Sequence, residues 1–104
     1  MIFVLLANHA ADICPLANAT TRDLILKTAP QIPSLAQSAG VELVAGPFVN
    51  REHTVVMVVQ SDTAENVDRF LSDSHLVQWN SISVLPSLTM EEGLSQIQAA
   101  TTIF

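Results

Sequence analysis

One cysteine, three glycines, four basic residues and no tyrosine are all that 104 residues contain of those types. Cys14 alone cannot form an internal disulfide or a four-cysteine zinc site, and a free thiol suits a reducing compartment, so the expected location is the cytoplasm. Three glycines leave no glycine-rich phosphate loop and no dinucleotide fingerprint, and GxSxG is also missing, so nucleotide cofactors are not expected. Four Lys+Arg stand against ten Asp+Glu, a formal net charge of -6. That balance, with no basic cluster to meet phosphates, argues against nucleic acid as a partner. No run approaches the ~18 apolar residues of a membrane span. Met1 to Ala7 is apolar and Ala17-Asn18-Ala19 imitates a signal-peptidase site, but no positive segment precedes it, and Asn8, His9 and Asp12 interrupt it. Nor is Ile13 the small residue that a lipoprotein signal places before its cysteine. Ile2 to Ala7 therefore reads as a buried strand.

What the chain does have is apolar residues: 49% are hydrophobic and only 13% charged, about half the roughly 25% charge of an ordinary soluble domain. Its length suits one domain over residues 1-104, with a core in 1-88 and a C-terminal helix and tail in 89-104. A domain of this size buries only about two thirds of its unfolded surface. So few charges leave apolar surface over, which predicts self-association.

Six principal elements follow in order. Ile2 to Asn8 is short and apolar, as in a central strand. A helical stretch runs from about Pro15 or Asn18 to Ala39, with Leu24, Ile25, Leu35 and Ala36 on its apolar face and Gly40 closing it. Pro30 and Pro33 predict a kink or two shorter helices, because proline removes an amide donor and clashes with the preceding turn. Val41 to Val49 is the second strand, its Gly46-Pro47 marking an edge or a bulge. Asn50-Arg51-Glu52-His53 turns the chain into Thr54 to Gln60, rich in β-branched residues. Asp62 and Glu65 suggest a capping box for a helix carrying Val67, Phe70 and Leu71 on one face. Ser81 to Leu85 alternates as a strand and ends at Pro86. Thr89 and Glu92 suggest a second box, opening a short helix with Leu94 and Ile97 inward.

The order is βαββαβ plus a C-terminal helix, an α+β, ferredoxin-like arrangement. Right-handed crossovers give an antiparallel sheet of order 4-1-3-2 with both helices on one face. Strand three is apolar on both sides, with Val55, Met57 and Val59 alternating with Val56 and Val58. A second copy of the sheet would cover the open face in a two-fold homodimer. The competing arrangement folds the C-terminal helix and tail over that face in a monomer.

Over residues 1 to 88 the chain resembles the dimeric α/β-barrel superfamily of ferredoxin-like proteins, which includes muconolactone isomerases, antibiotic-biosynthesis monooxygenases and YciI-related proteins. The resemblance rests on element order and on Gly40-Val41, Ala45-Gly46-Pro47, Asp62 to Leu71 and Val84 to Pro86. It implies a dimer and cofactor-free oxygenase or isomerase chemistry on a small organic molecule. The YciI-related proteins carry a functional histidine in the first helix; none lies between Asn18 and Gly40 here, so that chemistry does not transfer.

This topology gathers His9, Cys14, His53, His75 and Trp79 at one pole, with Asp12, Asn18, Asn50, Arg51 and Glu52 nearby. Three chemistries compete there. His9, Cys14 and His53 are an imidazole-thiolate-imidazole set that suits zinc or copper, although no CxxC, HxH or HExxH is present; strand-end histidines that are merely solvated are the plain alternative. Cys14 could be a nucleophile, its thiolate favoured by a neighbouring imidazolium of His9 or His53 and by a helix starting near Pro15, or simply a small buried residue. Finally, His9 or His53 could move a proton while Asn50 or Arg51 holds an oxyanion or carboxylate. In that reading Phe48 and Trp79 help wall an apolar pocket, whereas Phe3, Met57 and Phe70 are expected in the core. His75 is explained by its place at a helix C-terminus. The expected ligand is a small apolar or carboxylate-bearing molecule, or a divalent metal; the opposing class is a dimeric binding or structural module with no active site.

Overall fold

The computed structural model describes residues Met1–Phe104. The chain runs β1 (Ile2–Asn8), α1 (Ala19–Thr28), a 3-10 turn (Ala29–Gln31), α2 (Ile32–Ala39), β2 (Val41–Phe48), β3 (Thr54–Ser61), α3 (Ala64–Asp73), a 3-10 turn (Leu76–Gln78), β4 (Ser81–Ser87) and α4 (Met90–Ala99). The four strands form one antiparallel sheet in the order β2-β3-β1-β4, the order that right-handed crossovers require of this element sequence.

Alternation along the central strands sorts their side chains. Phe3, Leu5 and Ala7 of β1 and Val55, Met57 and Val59 of β3 are buried against Ile32, Ala36 and Ala39 of α2 and Val67, Phe70 and Leu71 of α3. Their neighbours Val4, Leu6, Val56 and Val58 point the other way and stay only half-buried. On that open face Val4 stands opposite both Val58 and Leu85, and Leu6 stands opposite Val56.

The two prolines divide the first helical stretch as their chemistry demands. Pro30 lies in the 3-10 turn and Pro33 in the first turn of α2, where a missing amide donor costs nothing. Asn18 caps α1, its Oδ1 accepting from the Thr21 amide at 3.0 Å. Of the two starts that the sequence offers, Asn18 is the one observed and Pro15 is not: turns precede it, and Cys14 is not beside a helix N-terminus. Thr63, not Asp62, caps α3 by accepting from the Asn66 amide. The Thr89/Glu92 capping box is present. Proline ends β4 no earlier than Ser87, since β4 is an edge strand and Pro86 need not donate to a second neighbour.

Gly46 sits in the irregular part of β2, where the register to β3 shifts. Its φ is 83°, and a Cβ there would lie 2.6 Å from the Val56 carbonyl oxygen. Only glycine lets the edge strand approach so closely.

Helix α4 buries no residue, and Leu94 and Ile97 are 52% and 71% exposed, not turned inward. No residue of that face is buried against the rest of the chain. The molecule measures 54 × 30 × 18 Å with a radius of gyration of 16.0 Å, against about 13 Å for a compact chain of this length. One sheet and one helical layer account for the thin dimension. The long one reflects an unpacked α4, and the monomer in which α4 covers the open sheet face is not the one observed.

Candidate functional site

Antiparallel pairing sets the site. Asn8, the last residue of β1, stands opposite Thr54 on β3 and Ser81 on β4. One residue further, His9 therefore lies between His53 and Asn80. The His9 amide donates to the His53 carbonyl at 3.1 Å, and their rings meet edge to face with centroids 5.4 Å apart. His53 reaches this position through a left-handed backbone, φ 58°, at the end of a turn in which Asn50 Oδ1 accepts from the amides of Glu52 (2.9 Å) and Thr54 (3.3 Å). Non-glycine residues held at positive φ are strained, and such strain is common at functional sites.

Cys14 arrives from the loop after β1. Its amide donates to the Ala10 carbonyl, and its own carbonyl accepts from Ala17 and Asn18. These bonds fold residues 10 to 18 into a tight knot that buries the thiol. His9, Cys14 and His53 each offer a ligand atom, and the three atoms lie within 4.8 Å of one another. The cluster is thus close enough to hold a metal ion.

Asn80 orients His9. Its Nδ2 donates to the Leu76 carbonyl at 3.1 Å, which turns Oδ1 toward His9 Nδ1 at 3.0 Å. Nδ1 is then a protonated nitrogen, and in the neutral imidazole Nε2 carries the lone pair. Nε2 is buried with no hydrogen-bond partner, and so is the indole nitrogen of Trp79. The Trp79 ring lies against His9 with centroids 5.0 Å apart. Both residues also line an adjoining cavity, so an occupant there can partner the two nitrogens.

Behind the cluster a cavity of about 640 Å³ opens between the sheet and α1/α2. His9, Cys14, Asn50, Thr54 and Trp79 form its polar end, and Ile25, Ile32, Leu43, Met57 and Leu76 are among the side chains of its apolar wall. Its volume falls within the range of small-molecule sites.

Sequence reasoning and structure part company at three residues. Arg51 is exposed in the β2–β3 turn and does not line the cavity. Phe48, 58% exposed, belongs to the outer end of β2 and not to the cavity wall. His75, left-handed at φ 63°, is exposed and bonded to Gln78 Nε2 at 3.0 Å, outside the cluster. Met57 is in the core, as expected, and also touches the cavity. Asn80 was missed, though its signal was present: any strand beginning at Ser81 opposite Asn8 places residue 80 beside His9.

No known family model matches the chain, and neither does any curated protein or solved structure with which it was compared.

Proposed function

We propose that the protein is a homodimer that binds a small, largely apolar molecule in the cavity, with His9 and Cys14 at its polar end and His53 beside them. The single observation that carries this reading is the continuity of the apolar cavity with that cluster. The chemistry that suits it is proton transfer. His9 Nε2 is the base, because Asn80 holds the proton on the other nitrogen, and Trp79 supplies a donor beside it. Asn50 keeps only its Nδ2 for a ligand, since its Oδ1 serves the turn. A divalent metal at the same three residues is the second reading, favoured by their mutual 4.8 Å reach.

The dimer reading rests on the open sheet face, where Val4, Leu6, Val56 and Val58 lie half-buried, and on the unpacked α4. A second copy would cover both. With the element order, this is the ground for relating the chain to the dimeric α/β-barrel superfamily, as one domain with α4 as its extension. The free thiol of Cys14 favours the cytoplasm.

A thermal-shift screen of small apolar acids and alcohols tests the ligand reading. Binders raise Tm by mass action. The account expects such shifts in the wild type and their loss in Ala29→Phe, which fills the cavity from the 3-10 turn. A folded wild type that no member of the panel stabilises would leave the non-catalytic module as the better description.

A further inference from the structure

The metal and the cavity need not be rival occupants. We propose that they form one site: a borderline divalent ion such as zinc held by His9, Cys14 and His53, with a fourth position facing the cavity, where an apolar molecule binds through a carboxylate. This rests on the second, metal reading above, in which His9 Nε2 is a ligand and not a base, and names its ligand class.

The ligand set decides the ion. Two imidazole nitrogens and one thiolate disfavour magnesium and calcium, which demand oxygen, and suit zinc, which takes nitrogen and sulfur in a tetrahedron. Bonds of about 2.0–2.3 Å around such an ion set ligand atoms roughly 3.3–3.8 Å apart. The three candidate atoms already lie within 4.8 Å of one another, so side-chain movements of about 1 Å close the site. His9 is prepared for this role, its Nδ1 engaged by Asn80 and its Nε2 left buried and unpartnered. Metal-ligating imidazoles regularly donate their far N–H to an oxygen acceptor that fixes the ring, the part that Asn80 Oδ1 plays here.

Three protein ligands leave a tetrahedral ion one open position. Two of the three, His9 and Cys14, line the cavity, so the exchangeable position opens there. A divalent ion with one thiolate and two neutral imidazoles carries a net charge of about +1, and the wall beyond it is mostly apolar. An anion with an apolar body matches both features. The unpartnered Trp79 N–H beside His9 offers a donor for the second carboxylate oxygen. Binding is coordination alone, with no bond made or broken within the ligand.

Cobalt(II) replaces zinc in such sites and makes them visible. The reduced, folded protein should take up one equivalent of Co²⁺ with a thiolate-to-cobalt charge-transfer band. That band should vanish in Cys14→Ser, and in His53→Ala cobalt affinity should fall at least tenfold; the second variant keeps the test intact if the first misfolds. Titrating 4-phenylbutyrate into the cobalt protein should perturb the ligand-field bands at least tenfold more tightly than acetate or 4-phenylbutyramide does. Failure of the folded wild type to bind cobalt or zinc overturns the proposal. Metal-free binding of 4-phenylbutyrate would then leave the cavity reading standing. Cobalt binding with acetate as tight as 4-phenylbutyrate overturns it differently: the open position does not face the cavity.

Discussion

Asn80 holds His9 by its Nδ1, at 3.0 Å, and so leaves Nε2 as the nitrogen without a partner. The relation is fixed by a third group, since Asn80 Nδ2 is committed to the Leu76 carbonyl. Replacing Asn80 by Ala should lower metal or ligand affinity by about 10–100-fold while the far-UV circular dichroism stays native. Asn80→Asp, which keeps the acceptor but loses the donor to the Leu76 carbonyl, should recover only part of the loss. The ¹⁵N shifts of His9 report the cause directly: Nε2 is the unprotonated nitrogen in the wild type, and a tautomer mixture appears in Asn80→Ala.

Val58 is central on the open sheet face, paired with Val4 and Ala45. A lysine there should leave the monomer folded, because the side chain meets no buried partner within the chain. Light scattering should show about twice 11.2 kDa for the wild type and a single chain for Val58→Lys, since a charge at the centre of an apolar interface costs several kcal/mol. A wild type that scatters as one chain would remove the dimer from the account.

Gly46→Ala should destabilise by about 1–3 kcal/mol, read from the midpoint of urea unfolding at unchanged slope. The cause is twofold, a φ of 83° and a Cβ placed 2.6 Å from the Val56 carbonyl oxygen. Gly93, which has nothing within 4 Å of its added Cβ, supplies the control. Gly93→Ala inside α4 should leave stability unchanged or slightly raised.

Phe70 is fully buried where α3 meets the sheet. Phe70→Ala should cost about 3–5 kcal/mol, enough to unfold much of a marginal domain. The contrast with Ile97→Ala, on a helix that buries nothing, separates core from arm: the second change should alter monomer stability by less than about 0.5 kcal/mol.

Strand periodicity made the sheet readable. Val55, Met57 and Val59 against Val56 and Val58 announce two apolar faces, and only one has a cover within the chain. Pairing then brought His9, Cys14 and His53 together without any motif, because β1 and β3 are neighbours and their joined ends must meet. Arg51 escaped the same logic. It sits at a turn tip, where strand register no longer dictates direction, and Asn50, not Arg51, anchors that turn. Cys14 was legible from the loop after β1, but the helix at Pro15 that was to favour its thiolate is absent: Asn18 opens α1, and a bonded loop holds the thiol. Leu94 and Ile97 look inward by helical spacing, yet spacing cannot say whether a partner for that face lies in the same chain.

The central claim is that the cavity and the cluster are one binding site, and the single tryptophan tests it most directly. Trp79 gives one indole N–H cross-peak in a ¹H-¹⁵N correlation spectrum. Titration with 4-phenylbutyrate should move that peak downfield in a saturable way as the buried N–H gains an acceptor, and Ala29→Phe should abolish the movement. An indole peak that stays fixed in folded wild-type protein to millimolar ligand, with or without zinc, would contradict the account.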